Sequence, residues 1–393
     1  MTVELKPMGN KCNISCTYCY QKFMREDEKP APYNIQLMLN TADKALIGAK
    51  KSSKSFSMFG GEPLLVPIND LEIFFKHGFN KYKKNGIQTN GTLITEDHIS
   101  LFLKYNVSVG ISIDGPNSLN DARRIGTIEA TRENTRKTEE NINKLISNNI
   151  IPSLIITLHR INYSQLDIFL SWIKYLQSIG IKYVRLHFME NDDANSLVLK
   201  EEELTNFVIK ILELNSRIRF DIFDDIQNLL LYEGEDLEEY QVACTWNGCD
   251  TYTTPAVQGV KGDGSLGNCG RTNKLGIDYL KSDIHGKERV RALFHTPQEF
   301  KGCKDCRFFF ACKGHCPGEG EFKDWRNRTE FCGTIKAIFT EFENRIEKIG
   351  KVPISKNEEL RKRLELEVIS MDSFGEHVDI SHGDSYDFEV EVR

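Results

Sequence analysis

The sequence predicts an α/β fold. A partial (β/α)6 TIM-type barrel spans residues 1–235, a small loop-rich domain spans 236–350, and a C-terminal helix with an acidic tail spans 351–393. Three observations carry this expectation. Short apolar or β-branched runs alternate with longer stretches of helical spacing through the first half of the chain. Six such units call for a parallel sheet with right-handed crossovers, and they are too few for an eight-unit barrel. From Cys244 onward the periodicity fades, glycine becomes frequent and cysteines gather.

The strands are expected at Val3–Lys6, Ser55–Phe59, Gly86–Thr89, Val107–Ile113, Ser153–Leu158 and Tyr183–Phe188. Each is short, rich in Val, Ile or Phe, and bounded by turn-forming residues. Helical spacing marks Ile35–Ala49, Glu96–Tyr105, Arg132–Ser147, Tyr163–Ile179 and Glu201–Asn215. In such a barrel the chemistry sits on the loops that follow the strands. The later part holds a hairpin signal, Val257–Val260 and Leu266–Cys269 around Lys261-Gly-Asp-Gly-Ser, and a helix at Thr334–Ile349. The last stretch, Met371–Arg393, has seven acidic residues and one basic one, the composition of a solvated tail. His377, Asp379, His382 and Asp384 within it are a weak metal candidate, because flexible tails seldom preorganise a site.

Composition narrows the function classes. The chain has 393 residues, 40% hydrophobic and 27% charged, which is an ordinary globular balance and excludes a disordered, collagenous or rod-like protein. With 51 basic and 57 acidic side chains the net charge is −6, which argues against nucleic acid as the main partner. No run of apolar residues is long enough to span a membrane, and MTVELKPMGNKC lacks the apolar core of a signal peptide. A cytoplasmic, reducing location follows. There, eleven cysteines point to metal or redox chemistry in place of disulfides.

The cysteines fall into two sets. Cys12, Cys16 and Cys19 follow the first strand, and the next cysteine is Cys244. Three thiolates in eight residues can hold one corner of a cubane iron–sulfur cluster and leave one iron open. A zinc site, or thiols buried as small hydrophobes, are the competing readings. The eight later cysteines are Cys244, Cys249, Cys269, Cys303, Cys306, Cys312, Cys316 and Cys332, enough for two complete sites of four. Their spacing alone does not choose between zinc and iron–sulfur.

The context does choose. Cys12-Asn-Ile-Ser-Cys16-Thr-Tyr-Cys19 after a first barrel strand resembles the signature of the radical S-adenosylmethionine superfamily. Gly60-Gly61-Glu62-Pro63, Gln88-Thr-Asn-Gly91, Ser112-Ile-Asp-Gly-Pro116 and Asn120-Asp-Ala-Arg-Arg124 are further matches to that family, and Lys6-Pro-Met-Gly resembles its sulfatase- and peptide-maturase branches. The resemblance implies that Cys12, Cys16 and Cys19 hold a 4Fe-4S cluster that binds S-adenosylmethionine. It implies that Gly60, Gly61 and Glu62 hold the amino group of the methionine moiety, that Ser112 and Arg124 contact ribose and carboxylate, and that Tyr18 packs near the adenine. Arginine suits a carboxylate by its bidentate geometry. The implied chemistry is reductive cleavage of S-adenosylmethionine and removal of a hydrogen atom from the substrate by the resulting 5′-deoxyadenosyl radical. Asp114 is either a turn cap or a functional carboxylate.

The later cysteines resemble the SPASM extension of these enzymes. That resemblance implies two auxiliary 4Fe-4S clusters, for three in all, one on Cys244, Cys249, Cys269 and Cys316 and the other on Cys303, Cys306, Cys312 and Cys332. It also implies a ribosomally made precursor peptide as substrate, a flavodoxin- or ferredoxin-type electron donor, and installation of a carbon–carbon (cyclophane) or thioether crosslink. Formylglycine formation and peptide epimerisation are the alternatives within the family, and an iron–sulfur electron carrier or a zinc-held binding module are those outside it. In sulfatase maturases an aspartate base follows the third cysteine of the first auxiliary set, whereas here that place holds Gly270. Asp250 and His315 are candidate proton acceptors instead. The barrel begins almost at residue 1, which predicts a separate leader-peptide recognition protein or direct binding of the peptide by the barrel.

Overall fold

Alternation of apolar and polar residues becomes a sheet with two different faces. In the computed structural model, which describes residues 2–22, 32–47, 55–190, 195–233, 242–250, 257–272, 274 and 288–370, six strands run parallel in chain order. They are β1 (Thr2–Lys6), β2 (Ser55–Met58), β3 (Asn85–Thr89), β4 (Val107–Ser112), β5 (Ser153–Leu158) and β6 (Tyr183–Phe188). The register sets Val3 opposite Phe56, Met58 opposite Ile87, Ile87 opposite Val109 and Ile156 opposite Leu186. These side chains are buried together against the surrounding helices. A one-residue slip would expose all of them, so the pattern fixes the pairing.

The alternate residues face the inside of the open barrel, and there the chain is polar: Glu4, Lys6, Ser57, Gln88, Ser112 and His187. A closed eight-stranded barrel fills this space with branched apolar side chains. This lumen is instead lined for a polar guest.

The helices are α1 (Ile35–Ala45), α2 (Ile68–Tyr82), α3 (Glu96–Lys104), α4 (Ile128–Ser147), α5 (Leu166–Ser178), α6 (Glu201–Glu213) and α7 (Asp221–Leu230). Asn34 caps α1, Thr95 caps α3 and Thr127 caps α4 through side-chain acceptors on the first free N–H groups. α4 starts four residues before its expected position because its buried face is polar. Thr131, Thr135, Thr138 and Asn141 take apolar places on it. Thr138 donates to the Asn90 carbonyl at 3.1 Å and Asn141 to the Gly91 carbonyl at 2.8 Å, which fixes the loop after β3.

The sheet extends further than the sequence suggests. β7 (Arg219–Phe220) adds to β6, and the hairpin β8 (Val257–Lys261) and β9 (Leu266–Gly267) joins the other edge, with β8 parallel to β1. An incomplete barrel leaves the edge of β1 open, and the hairpin covers it. As a result Cys269, just past β9, lies near the loop after β1.

The cysteine-bearing third contains α8 (Glu288–His295), α9 (Cys332–Lys348), α10 (Glu358–Ser370) and short helical turns. α9 packs on α6 and α7. Arg289, 1% exposed, donates to the carbonyls of Gly314 and His315 and of Trp325 and Asn327 and so ties two loop segments to its own helix. Met371–Arg393, with its His and Asp residues, lies outside the described residues. Among the described residues no helix is long and apolar enough to cross a membrane.

Candidate active site

The loop carrying Cys12, Cys16 and Cys19 is stitched to its neighbours by backbone hydrogen bonds. Gly61 N donates to Gly9 O at 3.0 Å, Glu62 N to Lys11 O at 2.9 Å, Ser15 N to Arg124 O at 2.7 Å and Thr17 N to Ala122 O at 2.8 Å. Two glycines make this approach possible. A Cβ on Gly61 would lie 2.1 Å from Lys11 O, and one on Gly60 would lie 2.5 Å from Gly9 O, with Gly60 at φ +116°. Glu62 is 1% exposed, and both its oxygens are committed. Oε1 accepts from Thr89 Oγ1 at 2.7 Å and from Leu64 N at 3.0 Å, and Oε2 accepts from Asn90 N at 2.8 Å. Burial pushes its carboxyl above the usual range, and these donors act in the opposite direction. Asn90 also reaches the cysteine loop, donating to Asn13 Oδ1 at 2.8 Å.

Beneath the loop lies a fully buried polar group. Asp114 and His159, at the ends of β4 and β5, are both 0% exposed. Asp114 Oδ1 accepts from Thr157 N at 2.9 Å, and Oδ2 accepts from Tyr18 Oη. His159 Nε2 stands 3.4 Å from Oδ2, an ion-pair distance without hydrogen-bond alignment. Arg123 donates to Tyr18 Oη at 2.9 Å. Burial alone would raise the Asp114 carboxyl, but His159 and Arg123 hold it below the usual range. Burial likewise pushes the Cys16 thiol up to about 12, against the pull of Arg123. Asp114 is therefore no turn cap. It joins two strand ends to the cysteine loop.

Ser112 accepts from Gln88 Nε2 at 2.9 Å on the lumen face. Arg124 binds the cysteine loop through its carbonyl, and its neighbour Arg123 is the arginine whose side chain enters the buried group. Adjacent arginines look alike in a sequence, and the parity of the turn decides which one points inward.

The later cysteines gather by sets. Cys316 feels the charges of Cys269 and Cys244, whereas Cys312 feels those of Cys303, Cys332 and Cys306. Cys249 lies near Arg289, which also faces Cys316, Cys303 and Cys312. None of the eleven cysteines is joined in a disulfide. Among the described residues no three His, Cys, Asp or Glu side chains sit close enough to hold a single metal ion. The donor chemistry of the first loop, three thiols and no other ligand type, fits an iron–sulfur cluster, whose ligands stand around a wider body than one ion.

A second charged group joins the end of β6 to the loops of Cys269 and Cys316. Arg271 pairs with Glu319 and, at 3.4 Å, with Glu190, and Lys274 also pairs with Glu190. Burial pushes Glu190 up, while Arg271 and His315 hold Glu319 down despite its burial. The two expected proton acceptors are occupied. His315 Nδ1 meets Glu319 at 2.8 Å with its ring edge-on to Trp246, and Asp250 is 1% exposed and accepts from Arg289 N at 3.3 Å. A Cβ on Gly270 would lie 3.0 Å from the Tyr20 ring and hydroxyl, so Tyr20 fills the place where an aspartate would stand. Arg123, His159, His187, Glu190 and Arg271 escaped the sequence reading. His159 and Glu190 sit just past strand ends, which the sequence marks, whereas the lumen face of His187 and the inward turn of Arg123 leave no local signal.

The open parallel barrel and its three-thiol loop coincide with a family match: residues 7–194 match the model of the Radical SAM superfamily. Among its relatives are the cysteine-type anaerobic sulfatase-maturating enzyme of Clostridium perfringens (strain 13 / Type A), 24% identical over 80% of this chain and 88% of that one, and the radical SAM cyclopropyl synthase TigE of Paramaledivibacter caminithermalis, 23% identical over 80% and 68%. The solved structure of anSMEcpe with bound AdoMet and the Cp18Cys peptide matches with a TM-score of 0.68 at 21% identity, covering 88% of this chain and 98% of that one. The fold likeness therefore extends through the cysteine-bearing third.

Proposed function

We propose that this radical SAM enzyme is a maturase that oxidises a ribosomally made peptide and closes a carbon–carbon or thioether crosslink in it. One observation carries the reading. The three-thiol loop caps the mouth of an open barrel with a polar lumen, and the β8–β9 hairpin brings Cys269 of the second cysteine set to the same mouth. When bound, the cluster and S-adenosylmethionine supply the one-electron cleavage that starts hydrogen removal.

Cys12, Cys16 and Cys19 would hold that cluster, and Tyr18, Ser112 and Arg124 would orient the cofactor. Gly60, Gly61 and Glu62 would hold the amino group of the methionine moiety, the two glycines by letting backbone approach closely. Glu62 serves as a brace between β2 and β3. Cys244, Cys249, Cys269 and Cys316, and Cys303, Cys306, Cys312 and Cys332, would hold two auxiliary clusters. A flavodoxin- or ferredoxin-type donor supplies electrons, a leader-recognition protein or the barrel itself holds the peptide, and free thiols suit the cytoplasm. The domain division at residues 235 and 350 belongs to this same reading.

Formylglycine formation on a sulfatase is the second reading, favoured by the likeness to the sulfatase-maturating enzymes. Gly270, with Tyr20 in the adjoining space, speaks for a different base and hence a different product. Anaerobic reconstitution tests the cofactor assignment. About twelve irons per chain and release of 5′-deoxyadenosine on reduction are expected. A Cys12, Cys16 and Cys19 to Ala triple variant should lose the release. A colourless zinc protein, or full cleavage by that variant, would refute it.

A further inference from the structure

A crosslink removes two electrons and two protons from the peptide in total. A hydrogen atom goes to the cleaved cofactor. As the new bond closes, one proton goes to a base and one electron to an iron–sulfur cluster acting as acceptor. The argument below rests on the proposed maturase reading and names the base.

The base must reach the lumen and have a free lone pair. Asp250 and His315 fail on the first count: Asp250 is 1% exposed beneath Arg289 N, and His315 is buried between Glu319 and the Trp246 ring. His159 fails on the same count, being 0% exposed behind Tyr18. His187 meets both requirements. It stands on the inward face of β6, next to last in the strand, at the end where barrel chemistry takes place. Neither ring nitrogen hydrogen-bonds to any described residue.

The sheet register places His187 opposite Thr157 on β5, whose N–H holds Asp114 and through it Tyr18 of the cysteine loop. On its other side lies Arg271, two residues past Cys269. The imidazole thus neighbours Thr157, which is linked to the first cysteine loop, and lies within the field of Arg271, which follows Cys269. We infer that His187 takes the proton released from the peptide as the crosslink closes. Its surroundings suit the task. Burial, then the guanidiniums of Arg271 and Arg185, hold the imidazole well below its ordinary range, so it is neutral with a lone pair available. Glu319, the acidic group facing it, favours the protonated ring once the proton has arrived.

The test uses the full-length, reconstituted enzyme with the precursor peptide encoded beside its gene, and measures crosslinked peptide per 5′-deoxyadenosine released. In His187→Gln this ratio should fall by about 100-fold or more, the range of a lost general base. His187→Ala should behave alike and recover part of the ratio with added imidazole, a rescue that a purely structural role would not show. Three results would overturn the inference: an unchanged ratio in His187→Gln, loss of product and 5′-deoxyadenosine in equal proportion, or no rescue of His187→Ala. A wild-type enzyme that releases 5′-deoxyadenosine but leaves the peptide unmodified would overturn the crosslinking reading along with it. Wild-type conversion matched by the variants would overturn only the role of His187.

Discussion

In the barrel, Val3, Ile87, Ile111, Leu154 and Leu186 are buried on five parallel strands of one sheet, and most of what holds them is apolar area. Between Cys244 and Cys332 the hub of the loops is a cation. Arg289 satisfies four carbonyls, while Trp246 donates to Asp225 of α7 at 2.9 Å and anchors the segment to the barrel. The first region is distributed and periodic. The second depends on a few buried polar contacts and on thiols that burial keeps protonated until a metal takes them. A fold built the second way can be broken at one residue.

The largest expected effect follows from that. Arg289→Met removes the guanidinium donors to the Trp325, His315, Gly314 and Asn327 carbonyls, of which Gly314 O keeps another donor, Thr329 N, and should cost roughly 3 kcal/mol. Hydrogen exchange should rise across 288–332 while β1–β6 stay protected. Equal loss of protection in both regions would show that the comparison is wrong.

Leu154→Ala probes the other side. It removes a 0% exposed side chain from β5 and should cost about 3 kcal/mol. Because α9 packs on α6 and α7, calorimetry should show both regions losing stability together.

Gly61→Ala tests the seam between them. Its Cβ would press on Lys11 O, so about 1–3 kcal/mol of crowding falls on the cysteine loop. The expected result is a folded protein by circular dichroism that binds about four fewer irons per chain. Full iron content would mean that the loop docks by another route.

At the small end, Arg136 pairs with Glu133 and Glu140 on the exposed face of α4. Its replacement by Ala should change stability by less than about 0.5 kcal/mol, as read by chemical denaturation.

The same contrast explains what the sequence could disclose. The six barrel strands are legible as short apolar or β-branched runs, and α6 carries the spacing Leu204, Phe207, Val208, Ile211 that marks a helix equally well. The true start of α4 is hidden because Thr131, Thr135 and Asn141 do apolar duty through hydrogen bonds. The hairpin's attachment to β1 is hidden because pairing across some 250 residues leaves no local trace. Motif spacing marks Cys12, Cys16 and Cys19, but it cannot tell Arg123 from Arg124, or show that Tyr20 stands against Gly270. His187 is invisible in the sequence for a related reason: a strand's alternation says that it has two faces, and only the closed sheet says which one is the lumen.

Oxidation of a peptide in this polar lumen, beneath the three-thiol loop, is the central proposal. The most direct measurement is the mass of the neighbouring precursor peptide after incubation with reduced enzyme and S-adenosylmethionine, with 5′-deoxyadenosine counted in the same tube. Loss of two hydrogens in step with 5′-deoxyadenosine is the predicted result. Deuterium gain without oxidation would replace the crosslink with epimerisation. An unchanged peptide beside abundant 5′-deoxyadenosine would contradict the account.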